Sequence, residues 1–437
     1  MKSKVKALFL IQMFDTKKLN DSAGLNEIAK PMIQSNYLST YHVFSWGVGE
    51  HYINSYIEDI CSSLQNELGS EPVTIYGAGA HTEGLWPQLS RFNVESIADK
   101  QLEKQGKQCC KINIISPTEI TTNIIIVSSR AWEESIVEEL AVLYPDKQVI
   151  GLYGGLVETI VADNNSQIKK LGEKFDKYEF DYVFYTPADP AEALTKSQLS
   201  QLKKMFSAKL VVVWWDYDDS SESNVYMTLE RNSLLTADFI IDPGNISKTI
   251  KMKQGFFPYH NHSLTEKVAL LPTPVDSSIF YPRDKIMDVA MFGSDVGLRR
   301  KWIDGLYDKF PENFHHIGGV GSGKVAIPME DYGRMVGECK IIVNSQTYSF
   351  RTQCKGKVRE ALASGCLLLE EDCFDTRSFI GEHNFIKFYS SEEELYDLVK
   401  YYLKHDVERE KIAQQGYSWY LDNWSSTPWS KKVLSFN

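Results

Sequence analysis

The sequence predicts an α/β protein built from parallel sheets that helices cover on both faces. Short, nearly continuous apolar runs recur along the chain, among them 123–127, 210–215 and 340–343. Amphipathic helical patterns separate these runs, and glycine, serine, asparagine or an acidic residue follows many of them. Strands buried on both faces have this apolar character, and parallel strands need helical crossovers between them. We therefore expect Rossmann-like lobes that bind ligands beyond the carboxyl ends of their strands.

The length and one proline-rich segment predict how the chain is divided. A chain of 437 residues is long enough for two to four domains, at about 150 residues per domain. Residues 272–284 contain three prolines and fit an extended connection between lobes. We expect an N-terminal helical segment, a Rossmann-like module and two further lobes, over residues 1–70, 71–160, 161–284 and 285–437.

Composition and charge exclude several classes of protein. Hydrophobic residues make up 43% and charged residues 24% of the chain, which excludes a disordered, collagenous or coiled-coil protein. The 47 Lys and Arg residues against 58 Asp and Glu residues leave a net charge of -11, so no general attraction to nucleic acid or anionic lipid is expected. No apolar run approaches the roughly 18 residues of a membrane span.

Cysteine usage and the amino terminus both predict a cytoplasmic protein. The seven cysteines include no C-x-x-C pair, which is typical of reduced thiols rather than of disulfides or a zinc site. The first apolar stretch follows three lysines, but Gln12 and Asp15 interrupt it and no small-residue cleavage site follows. This stretch therefore predicts a buried strand or helix rather than a signal peptide.

A glycine turn is the first nucleotide-binding signal. Gly77 and Gly79 follow an apolar run, and Asp99 ends the next run. Glycines let the backbone approach a ligand, and an acid after the next strand can bind a ribose in dinucleotide-binding folds. Thr82, however, stands where the third glycine of that fingerprint belongs. The pattern fits a second nucleotide site at Gly77, Gly79 and Asp99, and it also fits a turn that only packs.

The segment after the run 340–343 is the stronger signal. Lys357 and Glu360 are three residues apart at the start of a predicted helix, so they share one face, and Gly365 stands where that helix ends. A lysine at a helix N-terminus can hold a diphosphate, and a carboxylate can accept two hydrogen bonds from ribose hydroxyls. From the residues alone, a nucleotide site and an exposed charged turn are equally good interpretations.

Longer stretches of the sequence resemble the GT-B glycosyltransferases, especially the CgeB-like group and the group 1 C-terminal lobe. Lys357-x-x-Glu360-Ala-Leu-Ala-Ser-Gly365-Cys-Leu-Leu-Leu, preceded by Ile-Ile-Val-Asn-Ser, is similar to their donor-site strand, loop and helix. The similarity extends over residues 180–425, and residues 71–155 resemble a small Rossmann-like domain that accompanies several sugar-modifying enzymes. The resemblance implies two Rossmann-like lobes in the GT-B arrangement plus an additional N-terminal Rossmann-like module.

In that superfamily the C-terminal lobe binds a nucleotide-sugar and the N-terminal lobe binds the acceptor. The resemblance implies that Glu360 binds the ribose and that Lys357, with Arg299 or Arg300, neutralises the diphosphate. Thr352 stands where retaining members often carry a second glutamate, so the stereochemical course stays open. The predicted donor-binding residues are Gly293, Ser294, Arg299, Arg300, Asn344, Lys355, Lys357 and Glu360.

The expected reaction is the transfer of a hexosyl or pentosyl group from a UDP- or GDP-sugar to a hydroxyl acceptor. Negative charge grows on the β-phosphate as the sugar leaves, and fixed cations, Lys357 among them, together with helix-terminal amides stabilise it. The second lobe contains no Asp-x-Asp motif, so we expect neither an obligatory metal nor a cofactor. Asp216 and Asp218 form such a motif, but they belong to the other lobe.

The segment 214–218 is the predicted acceptor-side contribution. Trp214, Trp215 and Tyr217 can stack on sugar rings at the end of a strand, and Asp216 or Asp218 can act as a base toward the acceptor hydroxyl. In the alternative interpretation a tryptophan is part of the core and an aspartate caps the next helix.

Two other functions stay open at this point. One is an NAD(P)-dependent oxidoreductase or epimerase that uses the Gly77 turn, and the other is a nucleotide-sugar-binding protein without catalysis. The acceptor could be a polysaccharide, a protein, a small molecule or, less favoured by the charge, a nucleic acid. The sequence also leaves open whether the chain forms a homo-oligomer.

Overall fold

The computed structural model describes residues 4–13, 16–47, 50–130, 132–187, 193–215, 232–246, 266–318, 327–347 and 352–436. The chain divides into two compact units, Met1–Gly47 together with Asn165–Asn437, and Val48–Asn164. The second unit is thus inserted into the first along the chain.

The larger unit begins with two parallel strands, β1 (Val5–Met13) and β2 (Leu38–Gly47). Between them lie a 3-10 helix (Thr16–Asp21), a π-helix (Gly24–Ala29) and helix α1 (Lys30–Gln34). The segment 1–70, expected to be helical, thus contains two strands as well as helices. The apolar run after the first lysines is buried from Ala7 onward, as a strand covered on both faces requires.

The inserted unit contains a six-stranded sheet, in the order β5-β6-β4-β3-β7-β8. Only the β5–β6 pair is antiparallel among the described strands. In chain order the elements are α2 (Glu50–Leu68), β3 (Pro72–Tyr76), α3 (Ala80–Leu89), β4 (Asn93–Ala98), β5 (Gln108–Cys109), β6 (Ile112–Ile115), β7 (Ile124–Val127), α4 (Glu133–Leu143) and β8 (Gln148–Gly151).

The chain then completes the first sheet. Helix α5 (Leu156–Phe175) leads out of the inserted unit, and the remaining elements of this lobe are β9 (Tyr182–Thr186), α6 (Lys196–Phe206), β10 (Lys209–Val213), β11 (Phe239–Asp242) and β12 (Val268–Leu270). The strands lie in the order β12-β11-β10-β9-β1-β2 and all pair in parallel. The lobe expected over 161–284 thus also takes the first two strands of the chain, because β9 pairs with β1.

The second lobe is a five-stranded parallel sheet in the order β14-β13-β15-β16-β17. Its central strands are largely apolar and buried, as the pattern of the sequence predicts. The elements are β13 (Met287–Phe292), α7 (Arg299–Lys309), β14 (Phe314–Ile317), α8 (Met329–Gly337), β15 (Cys339–Asn344), α9 (Gly356–Ala363), β16 (Leu367–Glu371), α10 (Phe374–Ile380), β17 (Ile386–Tyr389) and α11 (Glu392–Tyr402).

Two C-terminal helices, α12 (Asp406–Asn423) and α13 (Ser426–Val433), connect this lobe back to the first. In α12, a Cβ on Gly416 would lie 2.8 Å from Leu362, so this helix packs closely on α9. In α13, Trp429 and Val433 belong to the same buried cluster as Phe9 of β1. The C-terminal helices therefore hold the two lobes together.

The predicted fold class is confirmed: the chain is α/β, and parallel sheets dominate its described parts. Two Rossmann-like lobes and a further Rossmann-like unit are present, as the resemblance implies. Within the described ranges, no helix is both long and apolar enough to cross a membrane.

Candidate functional site

A strained glycine turn ends strand β13. Gly293 has a φ of +107°, which only glycine adopts readily. A Cβ on it would lie 2.8 Å from Nη1 of Arg299, so the missing side chain makes room for that guanidinium. The carbonyl of Gly293 accepts a hydrogen bond from Nε2 of His316 at 2.8 Å. Ser294 follows, partly buried.

The two predicted arginines have different environments. Arg299, the first residue of α7, is 7% exposed and donates a hydrogen bond to the carbonyl of Phe292. Burial lowers the pKa of its guanidinium, and its Nε has no partner among the described residues. Arg300 is exposed and pairs with Asp295 at 3.0 Å. Only Arg299 therefore lies against the glycine turn.

Thr347 brings this turn close to the loop before α9. Its carbonyl accepts a hydrogen bond from the amide of Leu298 at 3.0 Å, just before α7 begins. Its hydroxyl accepts one from Nζ of Lys355 at 3.5 Å. Lys355 is the N-cap residue of α9. The starts of α7 and α9 are thus neighbours at the carboxyl edge of the sheet.

The first turn of α9 carries the predicted lysine and glutamate. Nζ of Lys357 lies 3.0 Å from Oε2 of Glu360 and 4.8 Å from the centre of the Tyr332 ring. The Tyr332 hydroxyl also donates to Oε2 of Glu360. The Lys357 and Glu360 side chains are only 25% and 11% exposed. The pair is therefore held in a partly buried cluster, unlike an ordinary pair on an exposed turn.

Tyr332, on α8, is a member of this cluster that the sequence analysis missed. Burial and the nearby Glu360 carboxylate raise the pKa of its hydroxyl well above the ordinary value, so it stays a donor. Its ring stacks edge-on against Phe292, at the end of β13. No motif surrounds Tyr332 in the sequence, and only the packing of α8 brings it to Glu360.

Asn344 is buried in the protein interior. It is 1% exposed, and its amide nitrogen donates to Oε2 of Glu370 at 2.7 Å. Its backbone carbonyl accepts a hydrogen bond from the hydroxyl of Tyr389 at 2.8 Å. Burial raises the pKa of Glu370 to about 8. Asn344 thus holds a neighbouring strand end, and its side-chain amide nitrogen already has a partner there.

The predicted acceptor-side segment is described only at its start. Trp214 is fully buried, so the alternative that places a tryptophan in the core is confirmed for this residue. Trp215 is partly buried, and its indole nitrogen donates to Glu27. Asp216 and Asp218 lie outside the described residues.

At the glycine turn of the inserted unit, the Asp99 carboxylate is hydrogen-bonded to other residues of the same unit. Gly77 has a φ of +112°, and a Cβ on it would lie 2.9 Å from the carbonyl of Ser128. Oδ2 of Asp99 accepts from the amide of Ala78 at 2.8 Å and from Nζ of Lys104 at 3.0 Å. These bonds hold the pKa of Asp99 below its usual value despite burial. Gly79, the N-cap residue of α3, completes a turn that this carboxylate braces.

Comparison with known proteins agrees with the architecture. Residues 296–435 match the model of a family described as "Glycosyl transferase-like", which confirms the predicted resemblance for the second lobe and the C-terminal helices. A search of curated proteins finds no match.

Several solved structures have a similar fold. The N-terminal domain of trehalose-6-phosphate phosphatase from Candida albicans is 12% identical, with a TM-score of 0.53, and the alignment covers 100% of this chain and 97% of that one. Anabaena HepE in complex with UDP-glucose is 10% identical, covering 83% and 98%, with a TM-score of 0.45. An alpha-glucosyltransferase in complex with UDP-glucose and DNA is 10% identical, covering 84% and 99%, with a TM-score of 0.43. At identities this low, the comparison shows a similarity of fold alone.

Proposed function

We propose that this protein is a glycosyltransferase that moves a sugar from a nucleotide-sugar to a hydroxyl acceptor without a metal. The observation that carries the proposal is the approach of two cationic helix starts, α7 with Arg299 and α9 with Lys355 and Lys357, at one sheet edge. Both helices belong to the region that matches the glycosyltransferase-like family.

The leaving group explains why cations are needed there. When the bond between sugar and phosphate breaks, the second negative charge of a nucleoside diphosphate develops on the β-phosphate. No described side chain caps the α9 N-terminus, which offers backbone amides and the positive end of the helix dipole. Arg299 and Lys357 add fixed positive charge in a partly buried setting, where it acts more strongly than in water.

The ribose is assigned to the rest of the cluster. Glu360 carries a carboxylate 11% exposed beside that helix start, and it can accept two hydrogen bonds from ribose hydroxyls. Lys357 and Tyr332 fix its orientation. The donor is a UDP- or GDP-sugar in this proposal, and Gly293 and Ser294 form the loop nearest the phosphates.

The acceptor is assigned to the first lobe. Its hydroxyl must lose a proton as it attacks the sugar, and Asp216 or Asp218 would accept that proton or orient the hydroxyl. These residues follow Trp215 in the chain, directly after the carboxyl end of β10. A cytoplasmic location would give the enzyme access to nucleotide-sugars.

Isothermal titration with UDP, GDP and NAD tests the proposal. We expect UDP or GDP to bind and NAD not to bind. Binding of NAD alone would replace the proposal with a dinucleotide-dependent enzyme acting through the Gly77 turn. Slow hydrolysis of the matching nucleotide-sugar then separates an enzyme from a binding protein, because a binding protein would retain the nucleotide-sugar without releasing sugar.

A further inference from the structure

Glu27 is a meeting point of the two lobes. Its Oε2 accepts hydrogen bonds from Nε1 of Trp215 at 3.2 Å, from the hydroxyl of Thr273 at 2.5 Å and from Nη1 of Arg359 at 2.7 Å. Trp215 follows β10 of the first lobe, Thr273 lies in the connection between the lobes, and Arg359 lies on α9 of the second lobe. One oxygen therefore joins three separate parts of the chain.

The local fold explains why Glu27 reaches this point. It lies in the π-helix that begins at Gly24. π-helical turns are rare in proteins, and those that occur are often found at functional sites. A Cβ on Gly24 would lie 2.5 Å from the hydroxyl of Thr186 and 3.0 Å from Cγ2 of Ile11. Only glycine therefore lets this segment lie directly on the carboxyl ends of β1 and β9.

Arg359 depends on Glu27 for its charge balance. The Arg359 side chain is 5% exposed, and its Nη1 also donates a hydrogen bond to the carbonyl of Thr273 at 3.0 Å. Its Nη2 lies 3.2 Å from the position of a Cβ on Gly356, the first residue of α9. A buried guanidinium without a counter-charge is strongly unfavourable, so Glu27 holds this group against the helix start.

We propose that Glu27 is a positioning residue for the nucleoside diphosphate site, acting through Arg359. The ion pair fixes the first turn of α9, which carries Lys357 and Glu360, against the first lobe. The site for the diphosphate is therefore complete only when both lobes contribute to it. This inference rests on the proposed function, because it assigns the ligand of α9 as a nucleoside diphosphate.

A double-mutant cycle tests it, with the dissociation constant of UDP or GDP, whichever binds more tightly, measured by titration. We expect Glu27→Ala and Arg359→Ala each to weaken binding by about tenfold, the size of one charge-assisted hydrogen bond. The double variant should bind no more weakly than Arg359→Ala, because Glu27 acts through that residue. Glu27→Gln keeps an acceptor oxygen and should recover part of the affinity.

Lys30→Ala is the matched control. Lys30 also links the N-terminal segment to the connection between the lobes, through Asp276 at 2.9 Å. We expect this variant to bind within about twofold of the wild type. An equal loss in Lys30→Ala would overturn the inference, since general loosening would then explain it. So would a Glu27→Ala variant that binds normally, or one whose loss is unchanged in the Arg359→Ala background. If the wild type binds neither nucleotide, the proposed function fails first and this inference with it.

Discussion

The hydroxyl of Tyr332 donates a hydrogen bond to Oε2 of Glu360, joining helix α8 to the first turn of α9. Lys357 approaches the same oxygen at 3.0 Å, so two donors hold one carboxylate oxygen. The other oxygen, Oε1, lies 3.3 Å from Nζ of Lys357. The carboxylate therefore has a defined orientation before any ligand binds.

Removing the Tyr332 hydroxyl should loosen that orientation. We expect Tyr332→Phe to weaken nucleoside diphosphate binding by about threefold to tenfold, the range for one typical hydrogen bond, because the hydroxyl acts on the ligand only through Glu360. Tyr401→Phe is a matched control, because it deletes a 2.8 Å bond from a tyrosine to Glu408 on the exposed surface. Titration of both variants with UDP and GDP checks the prediction. If Tyr332→Phe and Tyr401→Phe bound the nucleotide equally well, Tyr332 would have no role in the site.

Glu360 and Lys357 should contribute directly to nucleotide affinity. We expect Glu360→Gln and Lys357→Ala each to cost about 1.5–3 kcal/mol of binding free energy, the range for a hydrogen bond to a charged group. Circular dichroism should report an unchanged fold. Glu393→Gln and Lys400→Ala, at exposed positions of α11, are the controls. If both site variants bind like the wild type, the diphosphate is held elsewhere.

Gly293 should be needed for two separable reasons, its backbone conformation and the room it leaves for Arg299. Gly293→Ala combines an unfavourable φ of +107° with a contact of 2.8 Å to Nη1 of Arg299. Gly381→Ala combines a φ of +68° with no atom within 4 Å, so its loss of stability measures the cost of the backbone conformation alone. We expect chemical denaturation to show a loss of about 1–3 kcal/mol for Gly381→Ala and a larger one for Gly293→Ala. Only Gly293→Ala should weaken nucleotide binding.

The two arginines at the start of α7 should differ in their effect on catalysis. Arg299 is buried against the strand-end turn, whereas Arg300 is exposed beside Asp295. We expect Arg299→Lys to lower the kcat of donor hydrolysis by about tenfold to a hundredfold, because a point charge replaces the fixed guanidinium. Arg300→Ala should change kcat by less than about twofold, since exposed ion pairs contribute little. If Arg300→Ala lowered kcat more than Arg299→Lys, Arg300 would be the arginine that stabilises the leaving diphosphate.

Glu370 should make the stability of the protein depend on pH. Burial raises its pKa to about 8 from an ordinary value of 4.5, so the folded protein keeps a proton that the unfolded chain loses. The unfolding free energy should therefore fall as the pH rises from about 5 to about 8. Asp242, with a pKa raised by burial to about 7, acts in the same direction.

The variant Glu370→Gln isolates this contribution. Urea denaturation at several pH values should give a flatter dependence than the wild type, by on the order of 3 kcal/mol over that range. Some slope should persist because Asp242 is unchanged. Glu393→Gln, an exposed exchange of the same type, should leave the slope as it is. A wild-type protein that becomes more stable toward pH 8 would contradict the assignment.

The strands, the α/β class and the helix start at α9 follow from local sequence patterns. Apolar runs with flanking glycines predict buried parallel strands because backbone pairing and burial on both faces leave few other solutions. Gly365, with a φ of +60°, stands just beyond α9, as a glycine after a helix end predicts. Lys357 and Glu360 are visible because helical periodicity places them on one face.

Long-range packing decided what the sequence could not. Nothing local indicates that β1 pairs with β9, which follows the inserted unit in the chain. Tyr332 and Glu27 carry no motif, and each reaches its partner only through tertiary contacts, over sequence separations of 28 and 332 residues. Periodicity records which face of an element is buried. Which elements meet at that face depends on the chain closing over long distances, and that information is spread over the whole sequence.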